Sequence, residues 1–150
     1  MGKSVEVIAR GVCVKAGKIL LCQAKNAQIT YLPGGHTDFG ETARLSLERE
    51  IVEEIGVAST AGGFLGAVEH SFVQKGKRHC EWNVVFELDI PSISAAGPVA
   101  AAEDHITFHW CDLDALKEER LEPAVLCDLL PEWLGNALTG DRWGSGGDFA

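Results

Sequence analysis

The chain has 150 residues, the size of one domain, and its 46% hydrophobic and 23% charged residues suffice for a buried core. Thirteen Lys and Arg against 22 Asp and Glu leave a net charge of −9. That argues against a nucleic-acid polymer as partner, because holding a phosphate backbone needs a basic face, but a small phosphorylated ligand stays compatible if a metal cation accompanies it.

Cys13, Cys22, Cys80, Cys111 and Cys127 are widely spaced and form no C-x-x-C pair, the pattern of reduced thiols in a cytoplasmic protein. The opening "MGKSVEVIARG" turns charged too early for a signal-peptide core, and no run approaches the ~18 apolar residues of a membrane span. The expected partners exclude a membrane.

In chain order, "VEVIARGVCVKAGKILLCQAK" alternates as two strands joined by a turn at Ala16-Gly17-Lys18. "ITYLPGG" reads as a short strand stopped at Pro33. Over residues 42 to 56 the period changes, with Ala43, Leu47, Ile51 and Ile55 repeating every four, so an amphipathic helix is predicted with Thr42 as N-cap and Gly56 as stop. Residues 64–74 and 81–90 read as strands around a basic turn at Lys75-Gly76-Lys77-Arg78. "PSISAAGPVAAA" is uncharged and rich in small residues, which predicts a mobile loop. "HITFHWC" is a last strand, "DLDALKEERL" a short helix and "PAVLCDLLPEWLGNAL" a terminal one. This order predicts an α/β fold, a mixed sheet with helices on both faces, in a single domain over residues 1–140, with a tail at 141–150 that is flexible unless Trp143 or Phe149 docks.

The predicted helix carries the chemistry. At 100° per residue, Glu53 and Glu54 lie to either side of Glu50, so three carboxylates share a face beside the apolar stripe, with the small Ser46 leaving room there. A solvated acidic face is the ordinary explanation of such a run. Here no lysine partners follow at i,i+4, and like charges this close raise one another's pKa unless a cation sits among them. Hard carboxylate oxygens are the natural ligands of Mg²⁺ or Mn²⁺.

The stretch also carries the spacing G-x5-E-x7-R-E-U-x-E-E-x-G-U, with U bulky aliphatic, at Gly35, Glu41, Arg49, Glu50, Ile51, Glu53, Glu54, Gly56 and Val57. It resembles the Nudix box of the MutT-like hydrolases at every fixed position. Seven fixed residues match by chance on the order of 10⁻⁸ per position, which makes the motif specific. With the surrounding elements, the resemblance spans roughly residues 4 to 138 and implies the Nudix α/β/α sandwich.

What the resemblance implies is metal-dependent hydrolysis of a nucleoside diphosphate linked to another group. A nucleoside triphosphate is the favoured substrate; a nucleotide sugar or ADP-ribose is the alternative, and a non-catalytic nucleotide-binding module a third reading. Glu50, Glu53 and Glu54 would hold Mg²⁺ or Mn²⁺, one of them helping to activate water, and the Gly35 carbonyl would add a ligand. Arg49 would orient the glutamates, and Glu41 would brace the loop against it. A further ligand is expected ahead of the last strand, where Glu103 is favoured over Asp104. The resemblance also leaves room for a homodimer.

Outside the box, the readings stay double. His36 meets a phosphate or is a solvated loop histidine. Arg78, with Lys75 and Lys77, contacts phosphate or caps a solvated hairpin. Trp82 stacks on a base or packs in the core, as do Phe72 and Tyr31. Glu69 and Glu81 are weaker candidates for the metal.

Overall fold

The computed structural model describes residues 3–135 and 141–149. Among the described residues, two sheets and two α-helices make up the fold. Strands β1 (Glu6–Val12), β4 (Gly34–His36), β5 (Thr60–Gln74), β6 (Lys77–Asp89) and β8 (Trp143–Gly147) form a five-stranded sheet in the order β4-β1-β6-β5-β8. It is mixed: β1 runs parallel to β6 and β5 parallel to β8, while β4–β1 and β5–β6 are antiparallel. A second, antiparallel sheet has the order β2-β3-β7, built from Val14–Lys15, Lys18–Ala24 and Ile106–Asp112.

Helix α1 (Ala43–Ile55) begins and ends where the caps predict. The Leu45 N–H donates to Thr42 Oγ1 at 3.1 Å. Gly56 adopts φ 82°, a left-handed conformation that costs glycine little, and its N–H closes on the Ile51 and Val52 carbonyls. Leu47, Ile51 and Ile55 form the buried stripe. They pack with Ala9, Phe86 and Leu88 of the large sheet and Leu20 and Cys22 of the small one.

Helix α2 (Leu126–Leu134) serves the other face. Leu126, Leu130 and Trp133 pack with Val12, Leu65, Val68 and Val85 of the large sheet and Ile19 and Leu21 of the small one. Because neighbouring strand residues point to opposite faces, Phe86 and Val85 feed different cores. Strand β3 shows the result: Ile19, Leu20, Leu21 and Cys22 are all fully buried.

Both predicted turns are present. Ala16-Gly17 and Lys75-Gly76 have positive φ at both positions, the turn that matches strand twist. The first turn joins β2 to β3, and the chain changes sheet between β1 and β2.

Several expectations are corrected. Residues 29–32 make only two isolated bridges, Cys22–Tyr31 and Thr30–Leu121, and the strand follows Pro33 instead of ending at it. The basic turn is shorter than expected because pairing runs out to Gln74–Lys77. The short helix after β7 is a single 3-10 turn, Leu113–Ala115. Ser46 shares the helix face of Glu50 and Glu53 but leaves no open room there, being buried and bonded to Thr37 Oγ1 at 2.8 Å and to the Ala43 carbonyl at 2.9 Å. The small-residue loop has no regular element but is held: Lys15 Nζ donates to the Ile90 and Ile93 carbonyls, Val99 is buried, and Ala102 N–H reaches the Glu54 carbonyl at 2.7 Å.

In the tail the docking exception applies: residues 143–147 form a strand that pairs along the open edge of β5 from Ala67–Trp143 to Ser71–Gly147, and Trp143 meets Trp82. The ends of the two expected units, residues 136–140 and Ala150, lie outside the described residues. The five cysteines are free, with Cys13, Cys22 and Cys111 buried.

Candidate active site

The box residues are tied together by one arginine. Arg49 donates from Nε and Nη2 to the two oxygens of Glu41, both at 2.8 Å, and from Nη1 to Glu50 Oε1 and Glu53 Oε1, both at 3.1 Å. Its Nη2 also reaches the His36 carbonyl at 3.0 Å. Glu41 is in turn held by the Asp38 N–H at 3.0 Å. The guanidinium holds the Glu41 carboxyl down at about 2, and the carboxylates together raise the arginine.

The three helix glutamates occupy three environments. Glu53 is exposed at 52% of its side chain. Glu50 is mostly covered, and burial, reinforced by the Glu53 charge, pushes its pKa up against Arg49. Glu54 is only 7% exposed, and its Oε2 is buried with no hydrogen-bond partner among the described residues. Burial pushes it up to about 8, opposed by the Arg10 charge and aggravated by Glu50.

No three His, Cys, Asp or Glu side chains among the described residues converge as a ready metal cluster. Arg49 draws Glu50 and Glu53 to itself, while Glu54 turns inward. The donor set nonetheless suits a hard divalent cation. The oxygens are carboxylates, one of them an orphan in a buried place, and Gly35 leaves open the space where a Cβ would lie 2.5 Å from the Glu50 carboxyl carbon.

A cleft of about 670 Å³ opens on the α2 side of the large sheet, lined by Arg10, Tyr31, His70, Phe72, Asn83 and Pro123 among others. This is the size of a small-molecule site. Arg10 links it to the box. Its Nη1 donates to the Leu32 and Gly34 carbonyls at 2.9 and 3.2 Å, its guanidinium lies over the Tyr31 ring at 5.2 Å, and its charge acts on Glu54.

The other candidates are scattered. Glu103 pairs loosely with His105 at 3.6 Å, yet Ala102 beside it bonds the Glu54 backbone, and its charge helps raise Glu54. His36 is exposed and bonds Glu6 Oε1 at 3.0 Å. Arg78 is taken up by Ser71 Oγ at 3.2 Å and by Asp148. Trp82 is 47% exposed on the face of β6 opposite Asn83 and meets Trp143 edge-on at 5.8 Å, so it does not line the cleft. Phe72, Tyr31 and Glu81 do line it, whereas Glu69 accepts from Ser145 and Trp143 of the tail. Arg10, His70, Asn83 and Asp148 were not singled out in sequence, where nothing in their spacing sets them apart.

The NUDIX domain family model matches residues 4–128, and the chain belongs to that family of hydrolases, which generally use divalent metals. It is 26% identical over 126 residues to the CTP pyrophosphohydrolase of Escherichia coli (strain K12), covering 81% of this chain and 86% of that one. A candidate mutator protein of Mycobacterium tuberculosis, MutT4, is 40% identical over 47 residues, but the match spans only 31% of this chain and 19% of that protein. Among solved structures, the E. coli ORF135 protein superposes with a TM-score of 0.68 at 22% identity, over 92% of this chain and 96% of that chain. The MutT protein of Methanosarcina mazei Go1 superposes with a TM-score of 0.66 at 24% identity, over 89% and 95%. At these identities the superpositions establish the Nudix fold. No described helix is long and apolar enough to cross a membrane.

Proposed function

We propose that this chain is a Mg²⁺-dependent Nudix pyrophosphohydrolase, with Mn²⁺ as a substitute, that cleaves a diphosphate bond of a nucleoside triphosphate in the cytoplasm. Its single Nudix domain extends past the expected bound of residues 1–140 to take in β8, which pairs onto the large sheet. The observation that carries the reading is the junction of two features: an intact acidic helix face with a buried, unpartnered Glu54 oxygen, and a nucleoside-sized cleft joined to it through Arg10. The CTP pyrophosphohydrolase activity of the E. coli relative supports a triphosphate over a nucleotide sugar or ADP-ribose. Retention of every box glutamate favours catalysis over a binding module, which would have no use for them.

Glu50, Glu53 and Glu54 would hold the cation, with the Gly35 carbonyl and Glu103 as further oxygen donors. When bound, such a cation neutralises diphosphate charge and lowers the pKa of a water. The protein's own part is to position. Arg49 holds the Glu50 and Glu53 carboxylates, and Glu41 holds Arg49, so the acids stand on a rigid helix and not on a loop. The cleft takes the nucleoside and aims the phosphates at the helix. Water then adds to one phosphorus, the bridging P–O bond breaks, and the water proton passes to a glutamate of the helix.

The test is product release from a panel of nucleoside triphosphates, nucleotide sugars and ADP-ribose, with Mg²⁺ and with excess EDTA. Nucleotide and phosphate or pyrophosphate should appear from a triphosphate, and only with the metal. No release from any compound, or full activity in EDTA, would reject the reading.

A further inference from the structure

Asn83 sits in the middle of β6, paired with Ile8 of β1 and Val68 of β5, both fully buried. Its side chain is 1% exposed, and Nδ2 has no hydrogen-bond partner among the described residues. An unpaired amide in that position is costly, and an aliphatic side chain like its neighbours would be better for folding alone. Yet Asn83 lines the cleft. Nδ2 itself is closed off from the cleft, and a turn of the amide about its last side-chain torsion would bring it to an occupant.

A second orphan stands beside it. His70 Nδ1, two residues from Val68 on β5 and on the same face of the sheet, is also buried and has no hydrogen-bond partner among the described residues. The His70 ring is stacked on Phe72 at 5.1 Å, and Phe72 on His79 at 5.0 Å, so its plane is fixed. The remaining walls mix the apolar Ile29, Tyr31, Val73 and Pro123 with the charged Arg10, Glu81, Glu122 and Asp148. Aromatic and apolar surface with a few polar groups along one floor suits a flat heterocycle with hydrogen-bonding atoms along one edge.

We propose that Asn83 determines base specificity: its Nδ2 donates to an in-plane acceptor of the nucleobase, a ring carbonyl or ring nitrogen, while His70 meets a second atom on the same edge. The assignment rests on the nucleoside triphosphate reading. Neither residue touches the phosphates, so their effect falls on which base is held and not on the bond-breaking step. A base with a mismatched edge leaves both groups unpaired, and sites of this kind discriminate more strongly than apolar pockets.

The test compares wild type with Asn83→Leu, Asn83→Ala and His70→Phe, which keeps the stacked ring. Binding of the four nucleoside monophosphates is measured by titration calorimetry, and kcat and KM for the four triphosphates are measured with Mg²⁺. Wild type should bind one base best. The Asn83 variants should narrow the spread of affinities by at least about tenfold, through Kd and KM with kcat kept within about threefold, and His70→Phe should narrow it less. Asn83→Leu should melt no lower than wild type. Unchanged ratios among the bases, or equal binding of all four by wild type, overturns the assignment, and a lower Tm with unchanged ratios would leave Asn83 a folding residue. Base-selective binding without triphosphate turnover would instead reject the catalytic reading and keep the assignment of Asn83.

Discussion

Gly35 stands so close to Glu50 that a Cβ on residue 35 would lie 2.5 Å from the carboxyl carbon and 2.7 Å from each oxygen of that glutamate. The box glycine is thus a spacer for its own glutamate. Gly35→Ala must push Glu50 aside, because the β4–β1 pairing through Ala9–Gly35 leaves the backbone little freedom to retreat. We expect kcat to fall by roughly 10²-fold or more, about 3 kcal/mol of lost transition-state stabilisation, with the circular dichroism of the fold retained. A variant with near-normal kcat would show that the position of Glu50 is not critical.

Glu54 gives a metal prediction. A cation that binds only the folded protein raises its melting temperature, by the equivalent of ~2.7 kcal/mol at a hundredfold excess over Kd. Mg²⁺ should therefore raise the Tm of wild type. Glu54→Gln, which keeps the shape but removes the charge, should abolish most of that rise and lower kcat by roughly 10²-fold. An equal Mg²⁺-induced rise in both proteins would remove Glu54 from the ligand set.

The Glu41–Arg49 pair predicts a pH dependence. The folded pKa of Glu41 is depressed to about 2 from an unfolded value of 4.5, so the folded state binds fewer protons in that window. The stability it contributes is present above about pH 4.5 and is lost as pH falls toward 2. Wild type should melt above Glu41→Gln at pH 7, and the gap should shrink below about pH 4.5 and close as the pH nears 2. A gap that stays constant over that range would mean that the charge of Glu41 contributes nothing.

The C-terminal strand predicts a separable effect on the cleft. Gly147 and Asp148 line it, and the Asp148 N–H bonds the Ser71 carbonyl at 2.8 Å. Trp143 packs on Trp82, and Ser145 bonds Glu69, on the far face. Removing residues 143–150 should lower Tm by roughly 2–6 °C, since an edge strand with modest burial carries little of the core. KM for the nucleotide should rise severalfold with kcat little changed. An unaltered KM would exclude the tail from the substrate site.

Local pattern made part of this protein legible in its sequence. The helix from Thr42 to Gly56, its caps, both positive-φ turns and the box glutamates with their arginine depend on residues within a few positions of one another, so spacing reveals them. Sheet membership does not. Strands β1 and β2 are separated by one residue yet belong to different sheets, because that is settled by partners some seventy to a hundred residues away: β6 for one sheet and β7, through β3, for the other. The tail read as flexible unless an aromatic docked, and only the open edge of β5 gives it a strand to pair with. The cleft is the clearest case. Arg10, His70, Asn83 and Asp148 come from β1, β5, β6 and the chain's end, and no period or motif links them. Asn83 in a strand of hydrophobic neighbours is ordinary as text. It becomes a candidate reader of the base only when the sheet buries its amide without a partner, because hydrogen-bond satisfaction is a property of the packed chain and not of the residue.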